Sequence, residues 1–326
     1  MTTIKFSAFD SEENDLHETP FEPIDHENKL LFGKPTEIDF ILVRAPQSCI
    51  GIRIQGKSLK TSKVDFISVR GTLALIMCTP YIDNFYHNSW EICASKYNGV
   101  IYLSAIDSDE DIISNKNTPL IQLKRQSWGF KFEQYITTDT VDGVPDISSK
   151  THQLEEYCVV LKSILNSHTL LYKAEIDAVI PHRDLSPEIS TTSSYVEIKT
   201  IRSLKTENEK YYFYRYKMAY WWAQSYLAGI SEIICGNRTD AGIINSIDVL
   251  RVSNFPKEAH GMWSPDVCLN FCDKFLNFLK RVMIEDDPNV VYKFSYKGKD
   301  KIYCTKLVNP ENRYRVIPKW YTVAFD

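Results

Sequence analysis

Short apolar runs separated by polar turns recur along the chain and predict a mixture of strands and helices. Apolar residues concentrate over Ile38–Ile54 and Val64–Val69, in the short runs that are typical of strands. Trp90–Ile106 predicts two more strands, because Asn98–Gly99 at its centre is a strong signal for a hairpin turn. The acidic residues that follow, Asp107–Asn117, are expected to form a loop.

The central part of the chain predicts one helix and two further strands. Apolar residues over Leu154–Leu165 recur with helical spacing. Leu170–Ile180 and Ser194–Ile201 have the composition of strands, and Pro181–Ser194 between them is a loop rich in proline, serine and threonine.

Two longer helices are predicted in the second half of the chain. The first covers Glu209–Ala228, is rich in aromatic residues and is expected to end at Gly229. The second covers Val267–Met283 and is followed by Asp286–Pro288, which cannot continue a helix. Together these patterns predict an α/β or α+β fold, with a mixed β-sheet core flanked by helices.

The domain organisation predicted from the sequence is simple. Residues 1–30 are acidic and contain prolines, and we expect them to form a loosely ordered arm. Residues 31–326 are expected to form a single catalytic domain, because the candidate chemistry draws on residues from Arg70 to Gln224.

Composition and charge narrow the class of protein. The chain of 326 residues is 44% hydrophobic and 13% aromatic, enough to build a core, which excludes wholesale disorder. A net charge of −4 lacks the basic excess of many nucleic-acid binders, although a local basic channel needs no such excess. No apolar run approaches the roughly 20 residues that span a bilayer. Eight cysteines without a CxxC pair, of which Cys268 and Cys272 would share a helix face, suggest reduced, packed thiols in an intracellular protein.

The residues that indicate chemistry are acidic and lie in the two central strand-like segments. Side chains alternate faces along a strand, so Glu175 and Asp177 are expected to share one face. Glu197 and Lys199 are expected to share a face for the same reason. If the two strands pair, three carboxylates and one ammonium group converge on one patch. Acidic residues among apolar neighbours are costly unless they are paired or bound to metal.

Such a patch suits the hydrolysis of a phosphodiester. Carboxylate oxygens bind Mg²⁺ or Mn²⁺, and two such ions can activate water and stabilise the leaving oxygen. A neighbouring lysine can offset the charge that grows on the phosphate. The order Asp, spacer, Glu-x-Lys resembles the core pattern of PD-(D/E)XK nucleases. Either half of the pattern alone is weak, because a strand with one solvated face produces the same spacing by chance.

The neighbouring motifs form a long ordered set. They are Val69–Gly71 followed by MCTPY, GFKFEQY at Gly129–Tyr135, WWAQSYLAG at Trp221–Gly229, WSPDVCLNFC at Trp263–Cys272, DDP at Asp286–Pro288 and IPKWY at Ile317–Tyr321. With the central acidic segments, these motifs resemble the DXO family of RNA decapping exoribonucleases. The similarity covers roughly residues 64–321 in one colinear order, and it favours the animal-type members over the fungal ones.

The resemblance implies a role for individual residues. The implied metal ligands are Glu133, Glu175, Asp177, Glu197 and the backbone carbonyl of Ile198. The implied catalytic residues are Glu175, Asp177, Glu197 and Lys199. The implied substrate contacts are Arg70, Cys158, Glu175, Lys199 and Gln224.

The resemblance also implies the reaction. Members of this family remove incomplete caps and NAD caps, release pyrophosphate from 5′-triphosphate ends and degrade RNA from 5′ to 3′. We therefore expect an RNA decapping hydrolase and 5′→3′ exoribonuclease that uses Mg²⁺ or Mn²⁺ as two ions and binds RNA 5′ ends. Nuclear residence is expected on the same basis, with the cytoplasm as a second location. Membrane association is not expected, and the sequence indicates no particular protein partner.

Each assignment has an alternative in the sequence alone. Glu133 and Gln224 are compatible with the polar face of a helix, Arg70 with a structural ion pair, and Cys158 with a packed thiol. The aromatic residues over 211–222 fit a helix core better than a base-stacking platform. An RNA-end-binding scaffold that stimulates a partner exoribonuclease is the alternative function, and a DNA nuclease is a third interpretation. The full set of acids argues against the scaffold.

Overall fold

The computed structural model describes residues 3–5, 36–37, 64–82, 89–138, 143–149, 157–180, 195–298 and 301–323. Most of the expected arm, the strands expected over Ile38–Ile54 and the whole loop Pro181–Ser194 lie outside the described residues. The division into an arm and a single domain therefore stays a prediction.

Strands make up much of the described chain. They are β1 (Thr3–Lys5), β2 (Thr36–Glu37), β3 (Phe66–Val69), β4 (Trp90–Tyr97), β5 (Val100–Ile106), β6 (Cys158–Leu165), β7 (His168–Glu175), β8 (Ala178–Val179), β9 (Tyr195–Arg202), β10 (Glu232–Arg238), β11 (Ile244–Arg251), β12 (Val290–Tyr296) and β13 (Ile302–Val308).

Eight α-helices accompany these strands in the described ranges. They are α1 (Arg70–Cys78), α2 (Asp109–Lys116), α3 (Leu120–Ile136), α4 (Glu207–Tyr212), α5 (Met218–Ala228), α6 (Phe255–Glu258), α7 (Pro265–Val282) and α8 (Lys319–Val323). A π-helical turn over Phe213–Lys217 joins α4 to α5.

The strands form two sheets. The larger has nine strands in the order β1-β13-β12-β4-β5-β3-β7-β6-β2, and the smaller has four in the order β11-β10-β9-β8. In the larger sheet β3 is parallel to both β5 and β7, and in the smaller sheet β9 is parallel to β10. The other neighbouring strands of the described chain pair antiparallel. The expected mixed sheet with helices around it is confirmed.

The core lies between the larger sheet and three helices. Helix α1 contacts both α5 and α7. Leu73 and Ile76 of α1, Trp222 of α5 and Phe275 of α7 belong to one buried cluster with Ile92 of β4. Because α1 follows directly from β3 at the centre of the sheet, its first residue is placed in the interior of the molecule.

Two local predictions are confirmed by backbone geometry. Asn98 and Gly99 have positive φ angles of 52° and 78°, as the two-residue turn between β4 and β5 requires. Gly229 has a φ of 69° and ends α5 in the left-handed conformation that glycine adopts without strain.

The prediction of a loop over Asp107–Asn117 is wrong, because α2 occupies most of this segment. The Ser108 hydroxyl accepts a hydrogen bond from the Asp111 N–H at 3.1 Å, and the Asp111 carboxylate accepts from the Ser108 N–H at 3.0 Å. This reciprocal cap satisfies two backbone donors at the start of the helix. The acidic residues that suggested a loop also stabilise the helix, because they lie near the positive end of the helix dipole.

The prediction of a helix over Leu154–Leu165 is also wrong, because the described part of this segment contains strand β6. Leu161 and Leu165 are four residues apart, a spacing that fits one face of a helix and one face of a strand equally well. Val159, Leu161 and Leu165 are buried on one face of β6, which pairs along its whole length with β7. Pairing with β7 and the β-branched residues in the segment favour the strand.

The aromatic helix behaves mainly as core. Trp221 and Trp222 are buried in the main cluster, as the packing interpretation requires. Tyr211 at the start of the stripe is exposed and does not share that role. The thiols of Cys268 and Cys272 on α7 are buried, in keeping with packed cysteines. None of the helices in the described ranges has the length and apolar character that a bilayer crossing requires.

Candidate active site

The two sheets are joined at the end of β7. The Ile176 N–H, just past the strand, donates to the carbonyl of Tyr157 at 2.9 Å. The next residue, Asp177, accepts a hydrogen bond from the backbone N–H of Ile198 on β9 at 2.7 Å. The Asp177 carboxylate therefore ties the end of a strand in the larger sheet to a strand of the smaller one.

This arrangement corrects the expected pairing of the two acidic segments. Strand β7 lies in the nine-stranded sheet, whereas β9 lies in the four-stranded sheet and pairs with β8 and β10. The strand also ends at Glu175, so Glu175 and Asp177 do not share the face of one continuous strand. The acidic groups approach one another at a junction between sheets, which strand periodicity alone does not predict.

Glu197 is the most deeply buried acid of the site, with only 1% of its surface exposed. Arg70, the first residue of α1, donates to its two carboxylate oxygens at 2.7 and 3.2 Å. Lys199 donates to one of the same oxygens at 2.6 Å. Burial raises the pKa of Glu197, but the positive charges of Lys199 and Arg70 outweigh it and lower the pKa overall. The ion pair that the sequence allowed for Arg70 is thus present.

Lys199 is a charged group held between two carboxylates. Its Nζ lies 2.6 Å from an oxygen of Glu197 and 3.6 Å from an oxygen of Asp177. Burial lowers the pKa of Lys199, but Glu197 and Asp177 outweigh it and raise the pKa above its ordinary value. The ammonium group therefore stays protonated at neutral pH in this environment.

Glu133 brings a third carboxylate from α3. Burial raises its pKa to about 7, and Asp177 adds to the rise while Lys199 opposes it. The exposed Glu175 contributes to the same rise, which places its charge near the site. The pKa of Asp177 is raised as well. Burial is the largest cause, Lys199 lowers the pKa and Glu197 raises it. The site thus carries more negative charge than its cations offset.

Helix α3 reaches the site because of one glycine in the smaller sheet. Phe132, the buried residue of α3, lies over Gly236 of β10. A Cβ at Gly236 would lie 2.8 Å from the Phe132 ring, closer than side chains tolerate. The missing side chain lets α3 approach β10, and Glu133 follows Phe132 directly in the sequence.

Two of the expected substrate contacts, Cys158 and Gln224, lie on β6 and α5. Cys158, the first residue of β6, is directly opposite Glu175 in the pairing of β6 with β7 and is half-buried. Gln224 is half-buried on α5, one helical turn after Tyr220. The Tyr220 hydroxyl lies 3.9 Å from the position of a Cβ at Gly71, beside Arg70.

Tyr220 belongs to the site, although the sequence shows it only as part of an aromatic stripe. Burial raises its pKa, as does the neighbouring Cys78, while Arg70 and Lys199 lower it. Its hydroxyl therefore lies within electrostatic range of the charged cluster. Its place one turn before Gln224 is the signal in the sequence that could have found it.

The donor chemistry of the site fits a hard divalent cation. Among the described residues, no three acidic, histidine or cysteine side chains are arranged as they stand to hold one metal ion in common. Both carboxylate oxygens of Glu197 accept hydrogen bonds from Arg70 or Lys199. Carboxylate and carbonyl oxygens are nevertheless the ligands that Mg²⁺ and Mn²⁺ prefer, and a cation beside Glu133 and Asp177 would favour their charged forms, which burial disfavours. An incoming cation would compete with Arg70 and Lys199 for Glu197.

Residues 41–322 match the family model described as "RAI1 like PD-(D/E)XK nuclease". The chain belongs to this nuclease family. The resemblance seen in the motifs is confirmed, and the match extends from before β3 to the last helix.

Curated relatives carry the name "Decapping and exoribonuclease protein". The one from Xenopus laevis is 33% identical over 275 residues, covering 83% of this chain and 67% of the relative. The one from Homo sapiens is 31% identical and covers 79% of this chain and 64% of the relative. The chain thus spans about two thirds of the length of these relatives. Their animal origin confirms the expected animal type.

Solved structures of the family share the fold. Rai1 of S. pombe in complex with 3′-FADP is 26% identical with a TM-score of 0.60, and the match covers 75% of this chain and 72% of that one. Rai1 of Candida albicans in complex with pU5 and Mn²⁺ is 17% identical with a TM-score of 0.66, covering 80% and 74%. The chain therefore has the nuclease fold, and one solved protein with that fold binds a divalent cation.

Proposed function

We propose that this chain is a metal-dependent hydrolase of RNA 5′ ends, which removes incomplete caps, 5′ pyrophosphate and NAD caps and then degrades the RNA from 5′ to 3′. The observation that carries the proposal is the buried arrangement of Asp177, Glu197 and Lys199 at the junction of the two sheets. The names of the frog and human relatives support the same reaction.

Four carboxylates and one carbonyl are the groups that would hold the metal. They are Glu133, Glu175, Asp177, Glu197 and the backbone carbonyl of Ile198. When bound, one or two Mg²⁺ or Mn²⁺ ions supply a Lewis acid that activates water and stabilises the leaving oxygen. The Ile198 N–H donates to Asp177, which fixes this part of the β9 backbone beside the acids.

The cationic residues act on the phosphate. Lys199 is held protonated beside the acids, and its ammonium group can donate to a phosphate oxygen as negative charge grows in the transition state. Arg70 presents a planar guanidinium that suits bidentate binding of a phosphate once Glu197 has another counter-ion. Gln224 would contact the phosphate through its side-chain amide. It lies on the same face of α5 as Tyr220, whose hydroxyl lies close to α1.

The proposed substrate is the 5′ end of RNA. A family member bound to a phosphorylated oligouridine with Mn²⁺ and another bound to 3′-FADP support a pocket for a nucleotide 5′ end. Cys158 and Glu175 face each other across β6 and β7 and would border that end. Residence in the nucleus is part of the proposal and is supported by the family resemblance.

A panel of RNAs that differ only at the 5′ end tests the proposal. Purified chain with Mn²⁺ or Mg²⁺ is incubated with monophosphate, triphosphate, incompletely capped and NAD-capped RNAs, and the released nucleotide is identified. We expect a cap dinucleotide, pyrophosphate or a mononucleotide according to the end, and no product in EDTA. Binding of the same RNAs without cleavage would support the scaffold instead. Equal cleavage of single-stranded DNA would favour a general nuclease.

A further inference from the structure

A cluster of cations and one tryptophan lies on α3, the smaller sheet and the π-helical turn before α5, outside the candidate active site. We name it the Trp128 patch and define it as Arg125, Trp128, Lys217 and Arg238. The guanidinium of Arg238, at the end of β10, lies 4.9 Å from the centre of the Trp128 ring. The ring itself lies against Gly242, where a Cβ would be 2.6 Å from it. The tryptophan is thus fixed in place between a glycine turn and an arginine.

No ion pair joins the cations of this patch to a carboxylate in the described part of the chain. Burial lowers the pKa of Arg238, and so do the nearby charges of Arg125 and Arg202, while Asp240 acts in the opposite direction from a longer distance. Burial likewise lowers the pKa of Lys217, together with Arg238 and Arg202. The Nε of Arg238 is buried and has no hydrogen-bond partner among the described residues.

The acids that do lie nearby are engaged by other cations. Asp240 is 3.3 Å from Arg202 and 3.5 Å from Lys205, and Glu209 pairs with Arg202. Arg202 is the direct neighbour of Arg238 in the pairing of β9 with β10. The charge of Arg202 is therefore offset by two ion pairs, whereas Arg125, Lys217 and Arg238 form no ion pair in the described ranges.

The patch lies close to the candidate active site along two elements. Arg125 and Trp128 precede Glu133 on α3 by eight and five residues, or about 12 and 8 Å along the helix axis. Cys235, which is paired in register with Lys199, lies within electrostatic range of both Lys199 and Lys217. Cations thus continue from the site toward the outer end of α3.

We propose that the Trp128 patch binds the single-stranded part of the RNA that extends beyond the 5′ end held in the active site. Its cations would contact backbone phosphates, and the stacked Trp128 and Arg238 would support a base, the combination that single-stranded nucleic-acid grooves use. An aromatic ring beside unpaired arginines favours a nucleic acid over an acidic peptide, because it offers a surface to bases. This inference rests on the proposed function. It adds that tight binding requires an RNA long enough to reach the Trp128 patch from the active site.

Binding of two 5′-phosphorylated oligouridines, of 20 and of 2 nucleotides, tests this proposal. We measure affinity in Ca²⁺ at several salt concentrations for the intact chain and for Arg238→Gln and Arg125→Gln. Each substitution is expected to weaken binding of the 20-mer about tenfold and to leave the dinucleotide unchanged. The slope of log affinity against log salt should fall by about 0.7 for each RNA phosphate that the variant no longer neutralises.

The matched control is Arg281→Gln. Arg281 is an exposed arginine of α7 whose guanidinium lies 6.0 Å from the Phe278 ring, so it is also an arginine beside an aromatic residue. The variant should bind both RNAs as the intact chain does. Arg125 is exposed on α3, so its substitution keeps the test valid if Arg238→Gln does not fold.

The outcomes separate this inference from the proposed function. Unchanged 20-mer binding in Arg125→Gln and folded Arg238→Gln, or an equal loss for both RNAs, would overturn the role of the patch even if the chain cleaves RNA. A selective loss of 20-mer binding would support the patch even if the intact chain cleaves nothing, a result that would contradict only the proposed function.

Discussion

At Glu197, the negative charge of the site is balanced by protein side chains before any metal ion is bound. Its carboxylate is buried, and its charge is compensated by Arg70 and Lys199, which belong to different elements. A buried acid with two cations is stable only while both remain, because removing one leaves a charge without its compensation. Arg70 therefore has a structural role in addition to the one proposed for it toward phosphate.

Arg70→Gln should lower the free energy of unfolding in the absence of divalent ions. Breaking a buried ion pair costs about 3–5 kcal/mol, and the glutamine amide replaces only part of the bidentate contact. Adding Mn²⁺ should restore part of the stability, since the ion supplies Glu197 with a new counter-ion. Denaturant unfolding with and without Mn²⁺ measures both effects.

Arg313→Gln is the control for Arg70→Gln. Arg313 pairs with Asp109 on the surface, so its removal should change stability little. If Arg70→Gln unfolds at the same denaturant concentration as the wild type, Glu197 does not depend on Arg70.

Among the helices and strands, α3 connects the packing of the smaller sheet to the position of Glu133 in the candidate active site. Phe132 lies over Gly236, and this close approach sets how far Glu133 extends toward Asp177 and Lys199. A second glycine in the same region, Gly129, has open space around the position of a Cβ. The two glycines therefore allow packing and helix propensity to be separated.

Gly236→Ala should displace Phe132 and move α3, because the new methyl group would lie within 2.8–3.0 Å of the Phe132 ring and the Ile244 side chain. We expect a loss of about 1–3 kcal/mol of stability and a weaker affinity for Mn²⁺, as Glu133 is carried away. Calorimetric titration with Mn²⁺ and thermal unfolding give the two quantities.

Gly129→Ala, on the same helix, should keep Mn²⁺ affinity and gain up to about 1 kcal/mol, because alanine is the better helix former. The role given to Gly236 is contradicted if Gly236→Ala binds Mn²⁺ as the wild type does while Gly129→Ala weakens it.

The sequence predicts several elements from local signals, although it misses the capped helix α2. The hairpin at Asn98–Gly99, the stop at Gly229 and strand β9 depend on turn chemistry and alternation and are confirmed. The leucines of strand β6 fit the period of a helix as well as that of a strand, and pairing with β7 decides between them.

The arrangement of the site could be predicted only in part. The acidic residues are evident from their spacing and from the resemblance, but the two segments that carry them lie in different sheets and do not pair. The contact between Asp177 and Ile198 and the close approach of Phe132 to Gly236 are long-range contacts. No local pattern in the sequence encodes them.

At the scale of the whole molecule, the larger sheet is joined to α7 through a buried histidine. His168, the first residue of β7, packs edge-on against Phe66 at 5.5 Å, and its Nε2 lies 3.5 Å from Asp273 of α7. Burial lowers the pKa of His168, as does Lys280, while Asp273 and Asp65 oppose them. The side chain is therefore neutral in the fold at pH values where an unfolded histidine is charged.

The stability of the chain should consequently depend on pH through His168. The folded pKa is depressed below the unfolded value of about 6.5, so the unfolded state takes up the extra proton. The unfolding free energy supplied by this residue should fall as pH drops below about 6.5, by up to about 1.4 kcal/mol per pH unit. Unfolding of the wild type and of His168→Gln between pH 7.5 and 5 should show the gap between them narrowing toward low pH.

His260→Gln, which removes an exposed histidine, provides the comparison. Both variants are measured over the same range. A gap from the wild type that stays constant for His168→Gln would show that burial of this imidazole does not shift its titration.

The assignment of the active site is tested by the release of 5′ product from monophosphorylated RNA by the wild type and by the double variant Glu175→Ala with Asp177→Ala. We predict that the wild type releases mononucleotides with Mn²⁺ and none in EDTA. The double variant should release none in either condition, while its circular dichroism spectrum matches that of the wild type. Product formation by the double variant at a rate near that of the wild type would contradict the assignment of the active site.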